Sequence, residues 1–359
     1  MKIHEIFSLE DFKDSIPFTA LGARTCYSSG DLNYLLNDPR VISTPERARF
    51  LSKLGNYKHF SVFAHSFAYK DLESLEEEKL DKIVGKDFSH LSKKHKANLA
   101  ALKIGATRFK SHYNPAYPSV IGVSLRHYLE ELLETSEEEY FKAFEKMAEY
   151  DVPINPLGYK DDVWLIGLIK EYDGYAVFYI NNVSRVMTHQ LVRHTTLNYS
   201  QRSQRYVKED ENTIIIPDSI KDALCSINKD IIQKIENTNA ILSSEILDAE
   251  IKEDIKEKIK KYIQEYKNKD KKDNLETLYL LVDNLCQLVY DYSVYKCKVK
   301  REDARFLLPH GRRTTIVVSG TLNWIKDFIT KRTDPHAQWE IQKVAKAMKY
   351  LLEKQEVYI

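Results

Sequence analysis

Cysteine is scarce in this chain, and long apolar runs and any excess of one charge are missing. The 359 residues hold four cysteines, Cys26, Cys225, Cys286 and Cys297. None forms a C-x-x-C pair and their spacing fits no zinc frame. Scattered thiols in a long chain point to a reducing, cytoplasmic setting. No apolar run reaches the roughly 18 residues that a membrane span needs, and the opening MKIHEIFSLEDF lacks a signal-peptide core. Basic and acidic residues number 54 and 53, a formal charge of +1. That balance argues against a dedicated nucleic-acid binder, which carries a basic excess. There is no GxGxxG after a strand, no GxxxxGK[ST], no GxSxG elbow and no HExxH. His59 and His65 are six apart and His189 and His194 five apart. Neither pair has the i, i+4 spacing of a helical zinc face, so no metal site is expected.

What is present begins with 43% apolar residues, enough for a sizeable core. Over residues 1–70 the pattern is that of a compact α/β start. Thr44 is placed to cap a helix, Pro45 suits its first turn and Gly55 its end. In the stretch that follows, Phe63, His65 and Phe67 alternate in a strand-like way. Two blocks, about 71–172 and 218–297, read as charged amphipathic helices elaborating the surface, with charge runs that are solvated faces. YAVFYI and TTIVV read as strands. VSRVMTHQLVRH, TLNWIKDFITKR and PHAQWEIQKVAKAMKYLLEK read as helices, the last capped by Asp334 with Pro335 as its first residue.

Polar residues gather in three places. On a helix over 183–194, Gln190 and His194 would share the buried stripe of Val183 and Met187. Such a pair is either a satisfied core network or a ligand-lined face, and Arg193 beside it favours the second. Residues 193–206 carry Arg193, Arg202, Arg205, Ser200, Ser203, Gln201 and Gln204. This suits a phosphate-bearing small ligand or a polar surface loop, evenly on composition. In 301–313, Arg305 precedes an apolar strand-like run and is placed to point inward, while Arg312 and Arg313 read as exposed turn residues. Arg332 alone would be a helix C-terminal charge, though its guanidinium could also grip the carbonyl face of a base.

These segments, in this order, resemble the flavin-dependent thymidylate synthases of the ThyX type. That family's signature is Arg-His-Arg, seven residues and Ser. Here it is RHT, TLNYSQR and Ser203, followed by Gln204, Arg205 and Tyr206. KHFSVFAH at 58–65 is similar to the family's Gly-His-x-Ser/Thr-x-Phe-x-His stretch. GARTCY at 22–27, ARFLLP at 304–309 and KRTDPHAQWEIQ at 331–342 match further blocks. About half the chain is covered.

The resemblance implies an α/β (α+β) fold: a mixed sheet packed by long helices, as one catalytic domain over 1–359 with helical insertions. It implies methylation of dUMP to dTMP, with methylenetetrahydrofolate as carbon donor and NADPH as reductant through FAD, in a homotetramer with shared active sites. Carried over residue by residue, Cys26, His59, Ser61, Arg193, His194, Asn323 and His336 would hold the flavin. Gln190, Gln201, Ser203, Arg205 and Arg305 would bind dUMP. Arg332 would grip and polarise the uracil as the catalytic residue, and Tyr206 would border the folate or nicotinamide pocket. The chain departs from the pattern at Thr195, where the signature has its second arginine, and at Gln201, where an acidic residue is common. Lys58 replaces the glycine before His59. Thr321 and Asn323 stand where Asn and Arg are frequent, and Asp327 where Asn or His is usual. The alternatives are a C5-methylase of another uridine nucleotide, a silent flavin-binding homologue and, last, a helical interaction protein.

Overall fold

The computed structural model describes residues 2–107, 111–207, 214–221, 229–248, 257, 264 and 275–358. Cys225 and the parts of the 218–297 block at 222–228, 249–256, 258–263 and 265–274 lie outside the described residues. The chain, expected as one domain, groups into two compact units. The first is Met1–Asn181 with Gln190–Arg202 and Thr315–Ile359; the second is Asn182–His189 with Ser203–Thr314. Helices and antiparallel strands alternate along the chain, so the α/β class expected from the sequence holds.

In the first unit, strands β1 (Phe67–Asp71), β2 (Ser111–Tyr113) and β3 (Val120–Ser124) form an antiparallel sheet in the order β1-β3-β2. A second sheet runs β4 (Gly158–Lys160), β5 (Val163–Ile169), β6 (Tyr175–Ser184), β8 (Arg313–Thr321) and β7 (Asn198–Gln201), in that order across the sheet. The pairings β4–β5, β5–β6 and β7–β8 are antiparallel. Helix Thr44–Asn56 buries Arg47, Ala48, Leu51 and Leu54 along one stripe. Ser43 holds its N-cap position, one residue before the expected Thr44, and Gly55 falls inside it. The stripe joins Phe12, Phe63, Leu129 and Phe144 in one core. Burying a leucine such as Leu51 stabilises by about 1.5–3 kcal/mol.

Several expectations are corrected. The 58–65 segment is not a strand: Phe60–His65 is a 3-10 helix and β1 starts at Phe67. Every residue from Val62 to Ala68 is buried, so the side chains carry no alternation of inside and outside from which a period could be read. The 71–172 block holds the expected helices Glu77–Val84, Lys93–Thr107, Leu125–Thr135 and Glu137–Lys146, but also β2 to β5. Leu125, Leu129, Tyr140 and Phe144 belong to the core rather than to a surface elaboration. The helix expected over 183–194 is only Arg185–Leu191. Val183 and Ser184 finish β6, and the Ser184 hydroxyl accepts from the Met187 N–H at 3.0 Å, as a capping side chain does. The last long helix is Trp339–Lys354, capped by Gln338, whose side chain accepts from the N–H groups of Glu340 and Ile341. Asp334 instead closes a turn, accepting from the His336 N–H at 2.8 Å. That helix packs on β4 and β5.

The second unit contains the paired helices Lys229–Asp248 and Leu275–Tyr295. Arg312 is no exposed turn residue. It is 1% exposed and its Nε and Nη2 each lie 2.9 Å from Asp283 Oδ1, with Nη1 on Gln287. A buried guanidinium needs such a partner, and the one it finds is some thirty residues upstream, which local sequence cannot reveal. The run after Arg305 is likewise no strand: Arg305–Leu307 is a 3-10 turn and Phe306 is exposed.

Candidate active site

Three of the quoted motifs meet in the interior of the first unit. Helix Ile16–Tyr27 brings Gly22, Cys26 and Tyr27; the 3-10 helix brings His65; β7 brings Ser200. His65 is fully buried, with Nδ1 2.8 Å from Ser319 Oγ and Nε2 2.8 Å from Ser200 Oγ. Ser319 Oγ lies 2.8 Å from the Tyr175 hydroxyl, which also donates to the Ala64 carbonyl at 2.7 Å and accepts from Asn198 Nδ2 at 3.1 Å.

The proton positions in this chain follow from counting donors. Tyr175 has one proton, and only the Ala64 carbonyl cannot supply its own. Ser319 must therefore donate to Tyr175 and accept from His65 Nδ1–H. Nε2 is left as the acceptor of the Ser200 hydroxyl. Burial drives the His65 pKa down to about 3, in keeping with a neutral ring. The backbone must come close to this ring: an ideal Cβ on Gly22 would sit 2.5 Å from His65 Cδ2. Ser200 also borders Cys26, whose thiol burial pushes up to about 11. Burial thus favours the protonated thiol of Cys26 over the thiolate that a nucleophile needs.

His59, half-buried, takes a hydrogen bond between Nδ1 and the Tyr27 hydroxyl at 3.0 Å, and burial lowers its pKa. Lys58 before it has φ +55°, the left-handed region where glycine is at ease. That accounts for the glycine at this place in the resembling motif. Ser61 and Arg193 are exposed, and Arg193 has no ion pair among the described residues.

His194 and Arg332 are brought together. Arg332 Nε donates to His194 Nε2 at 3.0 Å, and the imidazole stands edge-on to Phe328 at 5.0 Å. The Tyr199 hydroxyl pins the turn, 2.8 Å from the carbonyls of Leu191 and His194. Burial first, then Arg332 and Lys331, hold the His194 pKa below its usual value. His194 is therefore neutral near pH 7 and accepts the Arg332 N–H. The stripe expected to bury Gln190 and His194 does not form, because the helix stops at Leu191. Both are half-buried.

Other expected residues stand apart. Asn323 is exposed in the first turn of helix Leu322–Arg332, roughly 13 Å along the axis from Arg332. It borders an open cleft with Tyr117, Lys170, Tyr172 and Lys326. His336 is exposed and turned onto Asp334, Nδ1 to Oδ1 3.0 Å. Gln201 lies on β7 opposite Ile316.

In the second unit, the Ser203 hydroxyl accepts from the N–H groups of Arg205 at 3.1 Å and Tyr206 at 3.4 Å, which shapes the turn. Arg205 lies 5.4 Å over the exposed Tyr206 ring and reaches Glu302 Oε2 through Nε at 3.0 Å and Nη2 at 2.9 Å. Arg305 Nε donates to the Glu302 carbonyl at 3.1 Å, and Arg301 Nη1 to the Tyr206 carbonyl at 3.4 Å. Two segments about a hundred residues apart in sequence are thus tied together: Arg205 by the Glu302 carboxylate, Arg305 by the Glu302 backbone carbonyl and Arg301 by that of Tyr206. Such forks suit phosphate oxygens.

Sequence reasoning did not single out Tyr175 or Ser319, which nothing in their neighbourhood marks. It quoted His65 and Ser200 within motifs but gave them no role.

A sheet flanked by helices, a buried histidine hub and arginine-rich turns describe a mixed α/β protein with candidate polar sites. Residues 174–356 match the family described as thymidylate synthase complementing protein. The chain belongs to that family. It is 31% identical over 211 residues to the flavin-dependent thymidylate synthase of Thermococcus onnurineus, covering 57% of this chain and 63% of that one. To the Pyrococcus abyssi enzyme of the same description it is 32% identical over 222 residues, covering 60% and 68%. The chain thus spans a little under two thirds of the Thermococcus relative. Among solved structures, ThyX from Helicobacter pylori with FAD and dUMP aligns with 52% of this chain and 71% of that one, at 18% identity and a TM-score of 0.31.

Proposed function

We propose that the chain is a flavin-dependent thymidylate synthase converting dUMP to dTMP, with methylenetetrahydrofolate as carbon donor and NADPH as reductant through FAD. The observation that carries this reading is the pairing of His194 with Arg332, the signature histidine with the arginine expected to hold the base. Family membership and the named relatives support it.

The donors of the first unit fit a flavin nucleotide. Arg193 and Ser61 are exposed and uncommitted to ion pairs among the described residues, and His59 is a half-buried ring kept neutral by burial. These residues, with Cys26, His194, His336 and Asn323, would hold FAD, which when bound supplies the hydride that completes the methyl group. Thr195, exposed, offers no cation where the signature has one.

The rest is done by the chain's own residues. Neutral His194 holds Arg332 at Nε, leaving both Nη groups for the carbonyl edge of a pyrimidine. A fixed cation there stabilises the negative charge that builds on the ring as C5 attacks the one-carbon unit. Because His194 is uncharged, it orients the guanidinium without adding a competing cation. In the second unit, Ser203, Arg205 and Arg305 would take the nucleotide phosphate, and Tyr206 would border the folate or nicotinamide. Gln190, half-buried with no side-chain hydrogen bond among the described residues, is available to a substrate, and Gln201 would line it from β7. No protein thiol nucleophile is required, in keeping with the raised Cys26 pKa. The working form would be a homotetramer with shared active sites. Among the described residues no helix is long and apolar enough to cross a membrane.

The test is an anaerobic assay of purified protein: record the flavin absorbance, add NADPH, dUMP and methylenetetrahydrofolate, and look for dTMP. Flavin reoxidation with dTMP supports the synthase. Bound flavin without dTMP favours the silent homologue or a methylase of another uridine nucleotide, the reading that Thr195 and Gln201 motivate. Absence of flavin binding refutes both.

A further inference from the structure

The Glu302 carboxylate meets Arg205 along the guanidinium edge formed by Nε and Nη2. That edge is the one a phosphate takes in a bidentate contact. We propose that Glu302 is a gate on Arg205: its carboxylate occupies the phosphate position and must be displaced by the nucleotide, so that Glu302 sets the affinity for the phosphate group. This rests on the reading of Arg205 as a phosphate ligand.

The pair is built to be displaced. The Arg205 side chain is 51% exposed and that of Glu302 38%. Exposed ion pairs of this kind are weak, because water competes for both charges and two side chains must be held still. A phosphate carries up to two negative charges and three strong acceptor oxygens on one centre. It gains more from the same guanidinium edge than a single carboxylate does.

The surrounding contacts survive the exchange. Arg305 is held by the Glu302 backbone carbonyl, not by its side chain, and its Nη atoms have no hydrogen-bond partner among the described residues. The turn carrying Arg205 is fixed by the Ser203 hydroxyl on two backbone N–H groups. Arg205 also rests over Tyr206. The carboxylate of Glu302 can therefore swing away while both arginines keep their supports. The opposite role for the same contact is a clamp that aims Arg205 at its ligand, and the two roles predict opposite signs.

The experiment is calorimetric titration of the full-length protein and its Glu302→Gln and Glu302→Ala variants with dUMP and, separately, with inorganic phosphate. As a gate, Glu302 weakens binding, so both variants bind tighter by about two- to fivefold, the range an exposed ion pair commands. The gain disappears when Arg205→Ala is combined with either variant, and narrows as salt is raised. Unchanged or weaker affinity in both variants overturns the gate, as does a gain that survives Arg205→Ala, or failure of phosphate and dUMP to bind any form. Phosphate binding that tightens in the variants while dUMP binds none of them upholds the gate and sinks dUMP as the substrate.

Discussion

Replacing His65 with glutamine tests whether the buried hub is what its geometry implies. The imidazole is fully buried, and burial alone takes its pKa from 6.5 to about 3. In the unfolded chain it titrates near 6.5. Between these values the unfolded state holds one proton more than the native state. Stability is therefore unaffected above pH 6.5 and falls as the pH drops below it, by about 1.4 kcal/mol per pH unit. Down to pH 4.5, about two units below the unfolded-state value, the loss is about 2.7 kcal/mol. Glutamine keeps one donor and one acceptor for Ser319 and Ser200 but has no proton to refuse. At pH 7.5 the variant should be less stable than the wild type by about 1–3 kcal/mol, the cost of poorly met buried hydroxyls. In urea unfolding curves at pH 7.5, 6.0, 5.0 and 4.5, that gap should shrink by about 2.7 kcal/mol toward the acid end. The remaining histidines titrate in both proteins and cancel. A gap that stays constant across this range would show that His65 takes up its proton in the native state, and the tautomer chain through Ser319 and Tyr175 would be wrong.

Gly22→Ala should destabilise by about 1–3 kcal/mol in the same unfolding assay. The new Cβ would meet His65 Cδ2 at 2.5 Å, and the roughly 1 kcal/mol of helix propensity that alanine brings is too small to offset displacing a doubly bonded ring. An unchanged midpoint would mean the hub tolerates a shift. Lys58→Gly should stabilise by about 0.5–1 kcal/mol, because relief at φ +55° outweighs the extra backbone freedom of glycine in the unfolded chain; a loss of stability would refute it. Arg332→Ala should keep the fold and abolish turnover, and should raise the His194 pKa part-way back, since burial, the larger cause, stays. Nitrogen-15 NMR of His194 reads this without activity, and an unmoved titration would deny the pairing.

How far the sequence could be read depended on where each residue's partner lies. The last two helices were legible because their periods are local and strong, and strands β6 and β8, buried on both faces, because their runs are short and rich in β-branched and aromatic residues. The 3-10 helix at 60–65 was not, because a run buried on every side has no period to show. The same blindness hid His65: its bonds go to Ser200 and Ser319, which are 135 and 254 residues away. Arg312 read as a turn residue because Asp283, which makes its burial possible, sits on another element. The motifs quoted for the resemblance mark where long-range partners converge without saying which atoms meet. GARTCY, KHFSVFAH and TLNYSQR were read as three ligand-facing stretches. In the fold, each also gives one inward residue, Gly22, His65 and Ser200, to a single dry hub. A ligand site at the surface of these segments is only as precise as the hub behind them. His65 therefore ties β7, through Ser200, to the helix that carries Cys26.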